Sequence, residues 1–336
     1  MPDRLAQASA VRYAPSVEEM LLGATDREPW KNTDSLSGSR LERATIDGQR
    51  VVIKYVCVED DWIMRATGDL NCRQLTLLTS GVLDRLPEVI DHAIVACAPY
   101  TSAQGHRGAA LLMRDVSEWM VPAGSEPIAL DMHRRFLEHM ARMHAAYLGS
   151  DDADLFPLAH HYVFLTPTMA DLEARYGKSD PIPPAVAAGW RLLESRHPRQ
   201  ARSLLELAGN PGPLLAALRV GPTTLVHADW KLGNLGSVPD ATILIDWDRC
   251  GSGPPLVDLA WYLAVNCDRL PESKEDAIAA YRRSLEAAGV DTSGWWDAQL
   301  RAALAGGFLQ LCWAKTDDAA EFGWWSDRLD EALPYL

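Results

Sequence analysis

Residues 227–234 read HADWKLGN, which places His227, Asp229, Lys231 and Asn234 on one short segment between the apolar runs TTLV and ATILIDW. Packing asks for none of these four side chains, whereas phosphoryl transfer asks for three of them. That chemistry is mainly positioning and charge neutralisation: a carboxylate orients the acceptor hydroxyl, an ammonium meets the charge on the transferred oxygens, and an amide with a second carboxylate holds magnesium. In the spacing D-x-K-x-x-N, Asp229 and Lys231 project on one side of a turn and Asn234 returns toward the metal. The strand ILID then delivers Asp246.

Around this segment lies a chain of 336 residues, 48% hydrophobic and 23% charged, long enough to bury a large core and to divide into two units. No run of about 18 apolar residues and no basic, apolar leader is present, so a soluble cytoplasmic protein is expected. The formal charge of −14 repels a phosphate backbone, and no basic stripe interleaved with aromatics occurs, which excludes nucleic acid as the expected partner. Six scattered cysteines without a C-x-x-C pair point to buried small apolar residues, not to zinc or a disulfide framework. The oligomeric state is not legible.

The first third reads as strands. LERATIDGQRVVIKYV holds two runs rich in β-branched residues around Asp47-Gly48, a dipeptide suited to a tight hairpin. Before it, Ser35, Ser37, Gly38 and Ser39 form a stretch whose backbone N–H groups suit an anion, or equally a plain surface loop. RQLTLLTSGVLDRLP has helical spacing, and EVIDHAIVACAPY and GAALLMRDV return to strands. After Met113 the chain turns helical: Met132, Phe136, Met140, Met143 and Tyr147 share a face, and helices are expected after Thr168, after Ser273 and from Trp295 to Lys315. Only TTLVH and ATILIDW interrupt this helical body.

HADWKLGN, together with LIDWDRCGSGPPLVDLAW, resembles the catalytic loop and metal-binding segment of the aminoglycoside phosphotransferase and choline kinase family. Its H-G-D-x-x-x-x-N pattern falls on His227, Asp229 and Asn234, with Ala228 at the glycine, and its later D-[IL]-A falls on Asp258-Leu259-Ala260. The resemblance implies an α+β, two-lobed protein-kinase-like fold, with a small strand-rich lobe over residues 1–113 and a larger helical lobe over 114–336. It implies that Asp229 orients or deprotonates the acceptor, with Lys231 beside it, and that Asn234, Asp246 and Asp248 bind Mg2+. Lys54 would bridge the α- and β-phosphates of ATP or GTP, Ser37, Gly38 and Ser39 would cover the triphosphate, and Met113 to Asp115 would hold the purine. His227 and Asp258 look like scaffolding for the loop.

The activity so implied is transfer of a γ-phosphoryl group to a hydroxyl of a small molecule, with an aminoglycoside, macrolide or nucleoside antibiotic as the leading acceptor. The alternatives are a kinase of a sugar or choline-like metabolite and a catalytically silent nucleotide-binding module. The family's C-terminal helices line the acceptor pocket, so Trp324 and Trp325, with Trp230 beside Asp229, suggest an indole platform for a ring-bearing acceptor. Two positions depart from the pattern. Ala228 replaces glycine, a change a methyl group is expected to tolerate, and Gln74 stands where a helix glutamate would pair with Lys54, leaving Asp69 as the other candidate partner. No A-P-E activation segment follows IDWD, which argues against a protein kinase.

Overall fold

Asp47 and Gly48 both adopt positive φ, 52° and 77°, and close a two-residue turn in which Ile46 faces Gln49. This is the left-handed pair that a hairpin of matching strand twist requires. The computed structural model describes residues 10–30, 38–150, 155–178 and 180–336. In chain order its first half runs β1 (Arg12–Tyr13), α1 (Val17–Met20), β2 (Thr25–Trp30), β3 (Arg40–Ile46), β4 (Gln49–Cys57), α2 (Trp62–Ala66), α3 (Arg73–Thr79), β5 (Ile90–Asp91), β6 (Ile94–Thr101) and β7 (Arg107–Arg114). The helical stretch follows as α4 (Leu130–Ala146), α5 (Leu158–His161), α6 (Pro167–Tyr176), α7 (Ile182–Arg196), α8 (Pro198–Gly209) and α9 (Gly212–Leu218). Short strands β8 (Thr224–Val226), β9 (Leu235–Val238), β10 (Ala241–Leu244) and β11 (Gly251–Gly253) then lead to α10 (Leu256–Val265), α11 (Lys274–Ala287), α12 (Trp296–Leu311) and α13 (Ala319–Ala332).

Two compact units result, Met1–Pro122 with Gly233–Asp248, and Ala123–Leu232 with Arg249–Leu336. In the first, six strands pair in the order β1-β6-β7-β4-β3-β2, with only the β1–β6 pairing parallel. Strand alternation gives this sheet two different faces. Val51, Ile53 and Tyr55 point to a core with Ala96, Ala98, Ala110, Leu112 and Met20. Val52, Lys54 and Val56 point the other way, and the register sets Leu41 and Leu111 opposite Lys54 and Met113 opposite Val52. Lys54 is therefore carried on the face away from the apolar core.

The expected cut at residue 113 differs from these units in one informative way. Residues 233–248 belong with the strands because β10 pairs in parallel with β5, Thr242 opposite Ile90, and because Ile243 packs with Ala93 and Val116. Val121 N–H also donates to Leu235 O at 2.8 Å. A side chain at Gly236 would lie 2.9 Å from the Trp119 carbonyl, so glycine is what allows this close approach.

In the second unit, α4 packs on α11 and α10 on α12, with Phe136, Leu137, Met140 and Met143 wholly buried. Every residue of α10 from Leu256 to Ala264 is buried, making it the central helix. Ser273 caps α11 by accepting from Asp276 N–H at 3.0 Å, as its sequence signature predicts. The helix expected over 73–87 is shorter: α3 ends at Thr79, Gly81 turns left-handed at φ 74°, and a single 3-10 turn follows at Leu83–Arg85. All six cysteines are free thiols, five of them buried. Among the described residues no helix is long and apolar enough to cross a membrane.

Among the described residues nothing lies within 4 Å of where a side chain at Gly48 would project, so substitution there costs backbone strain. Gly48→Ala is expected to lose about 1 kcal/mol of stability in a denaturant titration, the scale of a left-handed alanine. An unchanged midpoint would show that this turn does not set the register.

Candidate active site

β8 ends at Val226, and the next two residues are held by one buried carboxylate. Asp258, in the first turn of α10, accepts from His227 N–H at 2.8 Å and from Ala228 N–H at 2.6 Å. His144 of α4 reaches the same carboxylate through Nε2 at 3.0 Å, while its Nδ1 is 2.6 Å from the Tyr281 hydroxyl of α11. Burial pushes the Asp258 carboxyl up, but His144 and the His227 backbone pull it below the usual range. Between these anchors Ala228 is forced to φ 60°. Ala228, expected to be tolerated in place of glycine, sits in the backbone region that favours glycine.

The strain turns Asp229 into a cluster of cations. Its Oδ1 pairs with the Arg249 guanidinium and accepts from Trp261 Nε1 at 3.1 Å, and its Oδ2 lies 3.0 Å from Lys231 Nζ. Arg249 is itself buried, its guanidinium 4.4 Å from the Trp261 ring centroid and 5.2 Å from that of Phe164. Burial alone would raise the Asp229 carboxyl; Arg249 first and Lys231 second reverse this and hold it far below the ordinary range. Asp229 is a fixed carboxylate, suited to orienting a hydroxyl and too weak a base to deprotonate one in advance. Neither Arg249 nor Trp261 was singled out from sequence. Arg249 is three residues past Asp246, and only the demand of a buried Asp229 for a counter-charge pointed to it.

The other predicted residues gather in the strand-rich unit. Lys54 Nζ pairs with Asp246 Oδ1 and lies 3.8 Å from Asp248 Oδ2. Burial disfavours its charge, but Asp246 and then Asp248 outweigh that, leaving its pKa above the ordinary lysine value. Asp246 follows β10 in a left-handed conformation, φ 71°. Ile245 N–H donates to the Asn234 carbonyl at 3.1 Å, which brings Asn234 and Asp246 to one end of the β9–β10 pair. Asn234, Asp246 and Asp248 offer only oxygen ligands, the donor set of a hard cation such as Mg2+.

Ser37 lies outside the described residues. Gly38 has φ 87°, and the neighbouring Ser39 is buried with its Oγ 3.4 Å from Asp61 Oδ2. Met113 pairs with Val52 inside the sheet. The N–H groups of Arg114 and Asp115 donate to Ala93 O at 2.9 Å and Arg50 O at 3.2 Å, and the Asp115 carboxylate accepts from Ser117. Those N–H groups are committed to the fold. Among the described residues Asp69 makes no ion pair with Lys54; its two oxygens accept from the N–H of Arg73, the first residue of α3, at 2.9 and 3.1 Å.

Of the tryptophans expected to face an acceptor, two are enclosed and one is partly exposed. Trp230 and Trp325 are fully enclosed, and Trp325 donates to Glu321 at 2.6 Å while stacking on Phe308. Trp324 is half-buried, donates to Glu275 at 2.6 Å, and already has Lys274 and Arg328 near its ring. Large indoles gained more by filling the helical core than by facing a ligand.

With this geometry in view, the chain belongs to the phosphotransferase enzyme family, whose model matches residues 83–332. That family makes it a phosphotransferase. Among solved structures it is similar to a microcompartment-associated aminopropanol kinase, with a TM-score of 0.53 and 13% identity over 92% of this chain and 90% of that one. A choline kinase from Streptococcus pneumoniae matches with a TM-score of 0.49 and 13% identity over 95% of both chains. No curated protein matches. The fold is the protein-kinase-like α+β fold, strand-rich first and helical after.

Ala228→Gly is expected to stabilise the protein by about 0.5–1 kcal/mol, because release of a left-handed alanine outweighs the entropy of glycine. A lower melting temperature would contradict the strain. His161, buried with neither ring nitrogen hydrogen-bonded among the described residues, is a second test. Burial, reinforced by Arg249, lowers its pKa to about 3. The folded chain refuses a proton that the unfolded chain accepts, so stability from this residue falls as pH drops below about 6.5, by about 1.4 kcal/mol per pH unit. Melting curves of His161→Phe should fall less steeply over that window than those of the parent.

Proposed function

We propose that the chain moves the γ-phosphoryl group of ATP or GTP to a hydroxyl of a small molecule, an antibiotic acceptor being the leading case. The observation that carries this reading is Asp229, a buried carboxylate kept ionised by Arg249 and Lys231 within D-x-K-x-x-N. In the proposed reaction Asp229 accepts a hydrogen bond from the acceptor hydroxyl and aligns its oxygen, and takes the proton only as the new P–O bond forms. Lys231 screens charge on the transferred group. Asn234, Asp246 and Asp248 would hold Mg2+, which neutralises the phosphate oxygens when bound. Lys54 would meet the α- and β-phosphates, and the strand-rich lobe would cover the nucleotide.

A kinase of a choline-like or sugar metabolite is the second reading, and one observation favours it: two of the three indoles that would have carried a broad ring, Trp230 and Trp325, are enclosed. A panel of antibiotics, amino alcohols and sugars, tried with both ATP and GTP, separates the two. Turnover confined to small acyclic acceptors would remove the antibiotic. No turnover with any acceptor, despite nucleotide binding, would leave a silent module.

Asp229→Ala is expected to lower kcat by at least about a hundredfold with nucleotide affinity nearly unchanged. Near-normal turnover would overturn the assignment of this loop. Asp246→Ala should weaken magnesium-nucleotide binding along with rate, since it removes a ligand from the ground-state complex; calorimetry with and without Mg2+ reads this directly.

A further inference from the structure

A buried ammonium needs carboxylates around it, and the two in contact with Lys54, Asp246 and Asp248, are the ones proposed to turn to the metal. Gln74 cannot replace them: it is buried and neutral, and its Oε1 has no hydrogen-bond partner among the described residues. Asp69 is engaged at the start of α3. Asp61 is a third acid whose charge acts on Lys54, 1% exposed, at the turn that carries β4 into α2. Its Oδ1 caps α2, accepting from Ile63 N–H at 2.8 Å and Met64 N–H at 3.1 Å. Its Oδ2 is turned to Ser39, and Ser39 precedes β3 by one residue, two before Leu41, the cross-strand partner of Lys54. Alternation therefore puts Ser39 on the Lys54 face of the sheet.

From this division of its two oxygens we infer that Asp61 is the positioning residue for Lys54, the carboxylate that keeps the ammonium on the nucleotide face once Asp246 is drawn to magnesium. One oxygen fixes the acid to the helix, and the other directs its charge toward that face. The field is mutual, since Lys54 is the leading influence opposing the rise that burial imposes on the Asp61 carboxyl. The inference rests on the phosphotransferase reading and adds to it the source of the negative charge that Gln74 lacks.

Asp61→Asn separates the charge from the cap, because asparagine caps a helix as well as aspartate does. The melting temperature should stay within a few degrees, while the Kd for Mg-ATP and the KM for ATP rise by about tenfold and the KM for the acceptor is unchanged. A double-mutant cycle supplies the readout that a structural role would not move. In a Lys54→Met background, Asp61→Asn should have almost no further effect on Mg-ATP affinity. The same loss in both backgrounds, or full affinity in Asp61→Asn alone, overturns the role of Asp61 and leaves the phosphotransferase reading standing. A parent protein that fails to bind Mg-ATP or Mg-GTP overturns that reading, and the inference with it.

Discussion

The Asp258 carboxylate is the constraint from which the helical unit's chemistry follows. It accepts two consecutive backbone N–H groups and a histidine, and through His144 and Tyr281 it ties α4, α10 and α11 to the end of β8. Hydrogen bonds to an ionised, fully buried group are among the strongest that a protein makes, and removing any partner would leave a charge stranded in the core. That strength can hold Ala228 left-handed, a conformation costing about 1–2 kcal/mol for alanine. Relax this anchor and Asp229 has no reason to face Arg249.

Much of this was legible in the sequence because the relevant signals are local. Asp47-Gly48 dictates its turn through backbone geometry alone, Ser273 announces its helix, and the apolar stripe of α4 has one possible use. The spacing from His227 to Asn234 is local too. What could not be read depends on partners distant in the chain. Arg249 and Trp261 matter only once the turn at 250 and the burial of α10 bring them to Asp229. β2 and β9 have weak patterns of their own and exist because neighbouring strands offer them hydrogen bonds. The burial of Trp230 and Trp325 was illegible for the opposite reason: composition shows that they are large and aromatic, which fits a core as well as a ligand platform.

Positive φ at non-glycine residues marks where the chain accepts strain. Of the six such residues among those described, Ala228 and Asp246 fall within the two candidate clusters. Backbone strain of this kind survives only where the surroundings over-determine it. At Ala228 the cause is the double grip of Asp258; at Asp246 it is the abrupt end of β10, where Ile245 still bonds to Asn234. Both segments point an acid away from the strand it follows. The sheet or strand supplies the placement, and the strained residue supplies the direction.

The electrostatics of Asp229 bear on how the proposed reaction proceeds. A carboxylate gripped by Arg249 and Lys231 is a poor proton acceptor, and a mechanism that first made an alkoxide would be working against those two cations. A loose phosphoryl-transfer transition state makes no such demand, because bond breaking to the leaving group runs ahead of attack and the acceptor can remain protonated until late. The hydroxyl proton becomes acidic only as the new bond forms, and at that stage even a depressed carboxylate can take it. The same two cations that weaken Asp229 as a base fix its direction, so the cluster exchanges basicity for orientation, the contribution on which in-line transfer chiefly depends.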